Sequence, residues 1–81
     1  MNPGPIQATP LEDYKLLITF QNNEKKIFDM KPMLKQPIYN KLTNKGLFSL
    51  AKADGMCVYW NDELDLCPDM VYNNSLPVKD T

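Results

Sequence analysis

Residues 14–30, YKLLITFQNNEKKIFDM, predict a β-hairpin on which the rest of the chain can be built. The first half alternates apolar residues with others at the period of two that a half-buried strand needs. The apolar positions are Tyr14, Leu16, Ile18 and Phe20. Gln21-Asn22-Asn23 interrupts this pattern, and a second strand-like run follows directly over residues 25–30.

The turn of this hairpin predicts its register. Asn tolerates a left-handed backbone better than most other non-glycine residues, so we expect a three-residue loop that ends in a left-handed Asn23. This loop places Leu16 opposite Phe28. A two-residue loop would place Leu16 opposite Asp29, a poor partner on a buried face, because a slip by one residue reverses the strand faces.

Further elements are predicted on both sides of the hairpin. Residues 6–11 predict a short strand, with Pro10 placing it at an edge of the sheet or marking its end. Gln36–Leu42 predicts a helix with Pro37 in its first turn. We expect a left-handed Asn44 or Gly46 to end that helix. A compact apolar knot is expected to follow it, formed by Leu47, Phe48 and Leu50.

The C-terminal half predicts a second hairpin and a second short helix. Asp54-Gly55 indicates a tight turn before a strand over residues 56–60. Residues 61–63 predict a turn, and residues 64–66 an extended segment. Cys67-Pro68-Asp69 is expected to begin a helix that continues through Tyr72.

Together these elements predict an α+β domain. Its antiparallel sheet would have about four to five strands, from two hairpins, with one or two short helices packed on one face. We expect a single domain over residues 6–72, a flexible lead-in over residues 1–5 and a flexible tail over residues 73–81.

The composition disfavours several classes of function. The 81 residues are 43% hydrophobic and 23% charged, which is typical of a globular domain. The nine basic residues are all lysine, against ten acidic residues, and the chain contains neither Arg nor His. Without histidine it lacks the commonest general base and metal ligand. Without arginine it lacks the group that binds phosphate or guanine through two parallel hydrogen bonds. We expect a non-enzymatic protein without a cofactor and without direct nucleic-acid binding.

Cysteine usage and hydropathy predict the compartment. Two cysteines are too few for a disulfide scaffold. The chain shows neither a signal-peptide pattern nor an apolar run of about twenty residues. We therefore expect a cytoplasmic protein with reduced thiols and no membrane association.

Acidic residues follow the strand that ends at Trp60. Asp62, Glu63, Asp65 and Asp69 offer the oxygen ligands that Ca²⁺ and Mg²⁺ prefer. Their spacing does not match a Ca²⁺ loop, however, and turn roles or a helix N-terminal role explain them more simply. No metal site is therefore assigned.

The remaining candidates are also weighed against structural roles. Asp29 ends a core strand, and a turn-capping role is favoured over catalysis because no second titratable group is indicated beside it. Cys57 and Cys67 could form a redox pair or supply a nucleophile. No histidine is available to activate them, and Cys57 is predicted to be a small core residue.

The aromatic candidates are Tyr59, Trp60 and Tyr72. A stacking platform for nucleic acid would need a basic groove, so a core Trp60 with a paired indole N–H is favoured. A position at the rim of a partner-binding patch stays open for it. The candidate interaction or ligand site has seven members: Asp29, Tyr59, Trp60, Asp62, Asp65, Asp69 and Tyr72.

Several short motifs occur in a characteristic order from about residue 5 to residue 72. They are the strand over 14–20 with Asn22-Asn23 at the turn, Asp29, Pro32-Met33-Leu34, Leu47-Phe48, Val58-Tyr59-Trp60, and Asp65-Leu66-Cys67-Pro68-Asp69 with Tyr72. In this order the chain resembles a small bacterial family, domain of unknown function 2442. It departs from the family pattern where Asn23 replaces a glycine and where Asp62-Glu63 replaces an Asn-Gly-like turn.

The resemblance implies a small sheet-and-helix fold and brings no established activity. Members are sometimes joined to a helix-turn-helix domain or encoded beside a small toxin-like protein, which implies an interaction or regulatory role. Our leading hypothesis is a non-enzymatic protein-interaction module, acting as a homodimer or as the antitoxin-like partner of such a protein. The alternative is a domain that binds a small ligand or a divalent metal through the acidic segment near Trp60.

Overall fold

The computed structural model describes residues 2–61 and 64–78. Within these residues the chain forms seven strands and two short α-helices. In chain order they are β1 (Pro5–Pro10), β2 (Lys15–Phe20), β3 (Lys25–Asp29), α1 (Lys45–Phe48), β4 (Lys52–Ala53), β5 (Val58–Asn61), β6 (Leu64–Leu66), α2 (Pro68–Asn74) and β7 (Leu76–Pro77). Short 3-10 turns lie at Glu12–Tyr14, Met33–Lys35 and Asn40–Thr43.

The strands form two antiparallel sheets, which confirms the predicted α+β class. The first sheet has the order β1-β2-β3-β7, and the second has the order β4-β5-β6. The sequence predicted one sheet of about four to five strands. The strands divide because β4 pairs with its neighbour β5 rather than with the first hairpin.

The predicted register of the first hairpin is confirmed. Leu16 pairs with Phe28, and the loop contains the three residues 21–23. The Asn23 N–H donates to the Phe20 carbonyl at 2.9 Å, and the φ angle of Asn23 is 69°. The left-handed residue therefore stands where the turn requires it.

We expect substitution of Asn23 by valine to lower the free energy of unfolding by about 1–2 kcal/mol, because a β-branched residue is strained at positive φ. Asn23→Gly is the matched control and should be at least as stable as the parent chain. Urea unfolding followed by circular dichroism compares the two variants. Equal loss of stability in both would contradict the left-handed loop.

The helix predicted over Gln36–Leu42 is wrong. A turn and the 3-10 segment Asn40–Thr43 occupy this region instead. Leu42 is buried, whereas 58% of Ile38 is exposed, so the apolar residues of this segment do not form one continuous packed face. Without that packing, a seven-residue segment does not offset the cost of helix nucleation.

Asn44 begins a helix rather than ending one. Its φ and ψ angles are −70° and 114°, and its side chain accepts hydrogen bonds from the N–H groups of Gly46 and Leu47. This is the N-cap arrangement of α1. The expected left-handed cap at Asn44 or Gly46 is therefore wrong, because the side chain of Asn44 satisfies the free amides of the next helix.

One apolar core lies under both sheets. Alternate residues of β2 are fully buried, as the period of two predicted. The residues buried in the core are Leu16, Ile18, Phe20, Phe28, Met30, Leu34, Leu42, Phe48, Ala51, Val58, Trp60, Leu64, Leu66 and Val71. The core therefore combines the first hairpin with β5, β6 and α2.

The ordered structure extends past both ends of the expected 6–72 domain. The Gly4 carbonyl accepts a hydrogen bond from the Gln21 N–H at 2.9 Å, and the Gly55 N–H donates to the Pro5 carbonyl at 2.7 Å. At the other end, Leu76–Pro77 pairs with β3. Segments expected to be a lead-in and a tail thus take part in the first sheet.

Candidate functional site

The seven predicted site residues do not gather in one place. Tyr59 and Asp65 are cross-strand partners in β5 and β6, and Lys52 of β4 lies on the other side of Tyr59. This row lies on the face of the second sheet opposite to the core. The Tyr39 hydroxyl donates to the Asp65 carbonyl at 2.9 Å and closes one end of the row. Partial burial and the Asp65 charge raise the pKa of Tyr39.

Trp60 points to the opposite face, into the core. Only 8% of it is exposed, and its indole Nε1–H donates to the Phe48 carbonyl at 3.0 Å. The rings of Phe48 and Trp60 lie with centroids 6.3 Å apart. Trp60 is therefore a core residue with a paired N–H, as the simpler interpretation predicted.

Tyr72 anchors α2 on the first hairpin. The Lys26 Nζ lies 3.7 Å from the centroid of the Tyr72 ring and donates to the Tyr72 carbonyl at 2.9 Å. The Tyr72 hydroxyl donates to the Glu24 carboxylate. This bond raises the pKa of Tyr72 and lowers the pKa of Glu24. The Tyr72 hydroxyl, the one polar group of this side chain, is thus bonded within the fold.

The remaining acidic candidates have local partners. The Asp29 Oδ1 accepts from the Lys31 N–H at 2.9 Å, which is the turn-capping role that the sequence favoured. The Asp69 Oδ1 accepts from the Asn2 Nδ2 at 3.3 Å. Asp62 and Glu63 lie outside the described residues.

The metal-binding alternative gains no support from the structure. Across residues 2–61 and 64–78, no three His, Cys, Asp or Glu side chains are arranged so that they could hold a metal ion. Asp65 and Asp69 are both exposed. Asp65 lies opposite Tyr59 in the second sheet, whereas Asp69 accepts a hydrogen bond from Asn2. The described part of the acidic segment therefore shows no cluster of ligands for a cation.

The same part of the chain contains no helix that is both long and apolar enough to cross a membrane.

The structure forms an apolar groove above Trp60 that the sequence did not predict. We call it the Trp60 groove, and its volume is about 150 Å³. Its lining residues are Lys41, Leu42, Leu47, Leu50, Trp60 and Leu64. Leu42, Trp60 and Leu64 are buried, whereas Leu47 and Leu50 are exposed by 41% and 54%. The expected compact knot is wrong for these two leucines, since of the three residues only Phe48 is buried.

The segment that carries the two exposed leucines has charges of one sign. Between Met30 and Ala53 the sequence has five lysines and no acidic residue. The lysines are Lys31, Lys35, Lys41, Lys45 and Lys52. Lys31 forms an ion pair with Asp13, which lowers the pKa of Asp13. This one-sign run was the sequence signal that could have marked the region as a binding surface.

A larger, open cleft of about 610 Å³ lies beside the turn between β1 and β2. Asp13 and Tyr14 line it, and both have left-handed backbones, with φ angles of 62° and 59°. The Tyr14 hydroxyl donates to the Thr43 carbonyl, and Asp13 pairs with Lys31. Their side chains thus stabilise the turn.

Comparison with known proteins identifies one family. Residues 5–77 match the family described as Protein of unknown function (DUF2442), which is most of the chain. No curated protein matches the sequence. No solved structure matches it either.

Proposed function

The chain belongs to the DUF2442 family of proteins of unknown function, and we propose that it is a non-enzymatic interaction module. In this proposal the Trp60 groove binds an acidic, amphipathic segment of another protein. The observation that carries it is the pair of leucines exposed at the rim of a groove whose floor is already buried core.

The apolar surface of the groove favours a partner that covers it. Leu47 and Leu50 are held by the short helix α1 and the turn after it, so their position does not depend on a long flexible loop. Each would lose its remaining exposure when a partner side chain enters between them. Burying a leucine fully gains about 1.5–3 kcal/mol, so these two half-exposed residues could contribute a similar amount together.

The charge of the surrounding segment favours an acidic partner. Lys41 lines the groove, whereas Lys45 of α1 lines the cleft beside the turn between β1 and β2. A helix with leucines on one face and glutamates at its edges would match both the apolar groove and Lys41 at its edge. On the family resemblance we propose a small toxin-like protein as the source of this segment.

The size of the groove favours an inserted side chain over a small molecule. Pockets for drug-sized ligands have volumes of about 300–1,000 Å³. The Trp60 groove, at about 150 Å³, is smaller than that range. Catalysis is not part of the proposal, because the sequence has no histidine and the groove is lined by apolar groups and a lysine.

Tryptophan fluorescence provides a direct test, because Trp60 is the only tryptophan of the chain and lies in the floor of the groove. The probe is a synthetic helical peptide with leucine on one face and glutamate on the others. We expect saturable binding that shifts the Trp60 emission and weakens with added salt. Substitution Leu50→Glu should weaken binding by about tenfold or more, which equals about 1.4 kcal/mol.

Two controls keep the result specific. Met56→Glu places the same charge on a residue that is 72% exposed and lies outside the groove, so it should bind as the parent chain does. A peptide with lysine in place of glutamate should not bind. Equal binding of both peptides, or of the parent chain and Leu50→Glu, would overturn the proposal. Self-association that Leu50→Glu abolishes would instead identify a second copy as the occupant and exclude the acidic partner.

A further inference from the structure

The register of the second sheet, continued by one residue beyond its last pair, sets Cys57 opposite Cys67. In the β5–β6 ladder, Val58 pairs with Leu66 and Tyr59 pairs with Asp65. The next antiparallel pair in this register, toward the open end of the hairpin, is Cys57 with Cys67. Both are free thiols in the structure.

The cysteines lie on the accessible face of this sheet. Val58 and Leu66 are fully buried in the core, and side chains alternate along a strand, so the neighbouring pair points away from the core. Cys57 is partly buried and Cys67 is exposed. The expectation that Cys57 is a core residue is therefore wrong, because the register of β5 turns it to the outer face with Tyr59.

The backbone spacing suits a disulfide. Directly opposed residues of an antiparallel pair have Cα atoms about 4.5–5.5 Å apart, and disulfides span Cα distances of about 4.4–6.8 Å. The Cys57 N–H donates to the Asp54 Oδ1 at 2.9 Å, and the Cys57 carbonyl accepts from the Asp54 N–H at 3.3 Å. Asp54 thus engages both backbone polar groups of Cys57, which leaves them turned away from Cys67. A pair of Cys57 with Cys67 would therefore be of the closer, non-hydrogen-bonded type.

The surroundings of the two thiols differ. Burial raises the pKa of the Cys57 thiol, and the nearby Asp54, Asp65 and Cys67 add to this effect. The effect of Cys67 on the pKa of Cys57 agrees with the short distance between the two residues that the register implies. Since Cys67 is the exposed partner, an oxidant in solution reaches it first.

We propose that Cys57 and Cys67 form a reversible intramolecular disulfide across the end of the β5–β6 hairpin. The oxidant class is a low-molecular-weight disulfide such as oxidised glutathione. Cys67 loses its proton, and its thiolate attacks one glutathione sulfur, so that the glutathione S–S bond breaks and one glutathione leaves. Cys57 then loses its proton and attacks the Cys67 sulfur, releasing the second glutathione. Two cysteines are oxidised, and one glutathione disulfide is reduced to two thiols, which take up the protons.

The bond would join β5 to the start of α2. Cys67 directly precedes Pro68, the first residue of α2, so the disulfide closes the chain from residue 57 to residue 67. Closing a loop of this length restricts the unfolded chain. We expect the Tm of the oxidised protein to rise by about 10 °C.

The test incubates the purified full chain with an equal mixture of reduced and oxidised glutathione, followed by acid quench, alkylation and intact mass measurement. We expect a monomer that is about 2 Da lighter than the reduced chain and resists alkylation. Trypsin leaves both cysteines on one peptide, because no lysine lies between residues 53 and 78. A protease that cleaves at the acidic residues between the two cysteines separates them, and a linked peptide pair then identifies the bond. Differential scanning calorimetry gives the Tm of each form.

Single variants distinguish the intramolecular bond from simple thiol reactivity. Cys57→Ser and Cys67→Ser preserve size, and each should stop at a mixed disulfide with glutathione and show no rise in Tm. Circular dichroism checks that both variants are folded. Free thiols in the parent chain at equilibrium, a persistent glutathione adduct, or disulfide-linked dimers would each overturn the proposal.

Discussion

Replacement of Trp60 by alanine is expected to lower the free energy of unfolding by about 3–5 kcal/mol. The substitution removes a large side chain that is 92% buried and leaves a cavity under the second sheet. It also leaves the Phe48 carbonyl without the indole N–H that it accepts at 3.0 Å. A domain of this size has a stability near the low end of about 5–15 kcal/mol, so the variant should be close to unfolding at room temperature.

Urea unfolding followed by far-UV circular dichroism measures this loss without relying on tryptophan fluorescence. Tyr59→Ala is the matched control, because Tyr59 is the adjacent aromatic residue on β5 and lies on the opposite, half-exposed face. It should cost clearly less, about 1 kcal/mol. Equal losses for the two variants would show that Trp60 does not belong to the core.

Replacement of Gly4 by alanine is expected to cost about 1–3 kcal/mol, through steric conflict rather than through lost burial. A Cβ atom at Gly4 would overlap the backbone carbonyl of Gly55, and backbone cannot rotate away as a side chain can. This contact belongs to the place where the two sheets meet. There the Gln21 amide donates to the Gly55 carbonyl at 3.2 Å, and the Gly4 N–H donates to Gln21 Oε1 at 3.2 Å.

Gly46→Ala makes the same chemical change in α1 and serves as its control. The nearest atom to a Cβ at that position is the Asn44 Oδ1, at 3.1 Å, which is the end of a side chain. The gain in helix propensity there offsets the tight contact, so we expect a change below about 1 kcal/mol. Thermal unfolding of both variants checks the prediction. A neutral Gly4→Ala would mean that residues 2–5 are not held against the Gly55 turn.

The functional residues that sequence reasoning selected share a chemical feature but not a location. Most were chosen as acidic or aromatic residues near Trp60, and Asp29 was chosen as the end of a core strand. The structure gives most of them structural partners, such as Lys26 for Tyr72 and Lys31 for Asp29. The groove was overlooked, and the cysteine pair was considered but disfavoured, because each depends on which face of an element a residue occupies. Neither face could be assigned for segments as short as four residues.

Features that depend on neighbouring residues could be predicted from the local sequence. It predicted the first hairpin, its register and the left-handed Asn23, because strand alternation and turn geometry act within a few residues. It also predicted the second hairpin and the helix that begins at Pro68, since proline suits a first helical turn. The α+β class follows from these elements.

Features that depend on packing between distant segments could not be predicted in this way. The division into two sheets, the absence of the helix predicted at 36–42, the exposure of Leu47 and Leu50, and the register that sets Cys57 opposite Cys67 all depend on contacts between separate segments. A short apolar run such as 47–50 has the same local preferences whether its leucines are buried or exposed. What distinguishes the two cases is the apolar area that other segments remove from water, which no local pattern records.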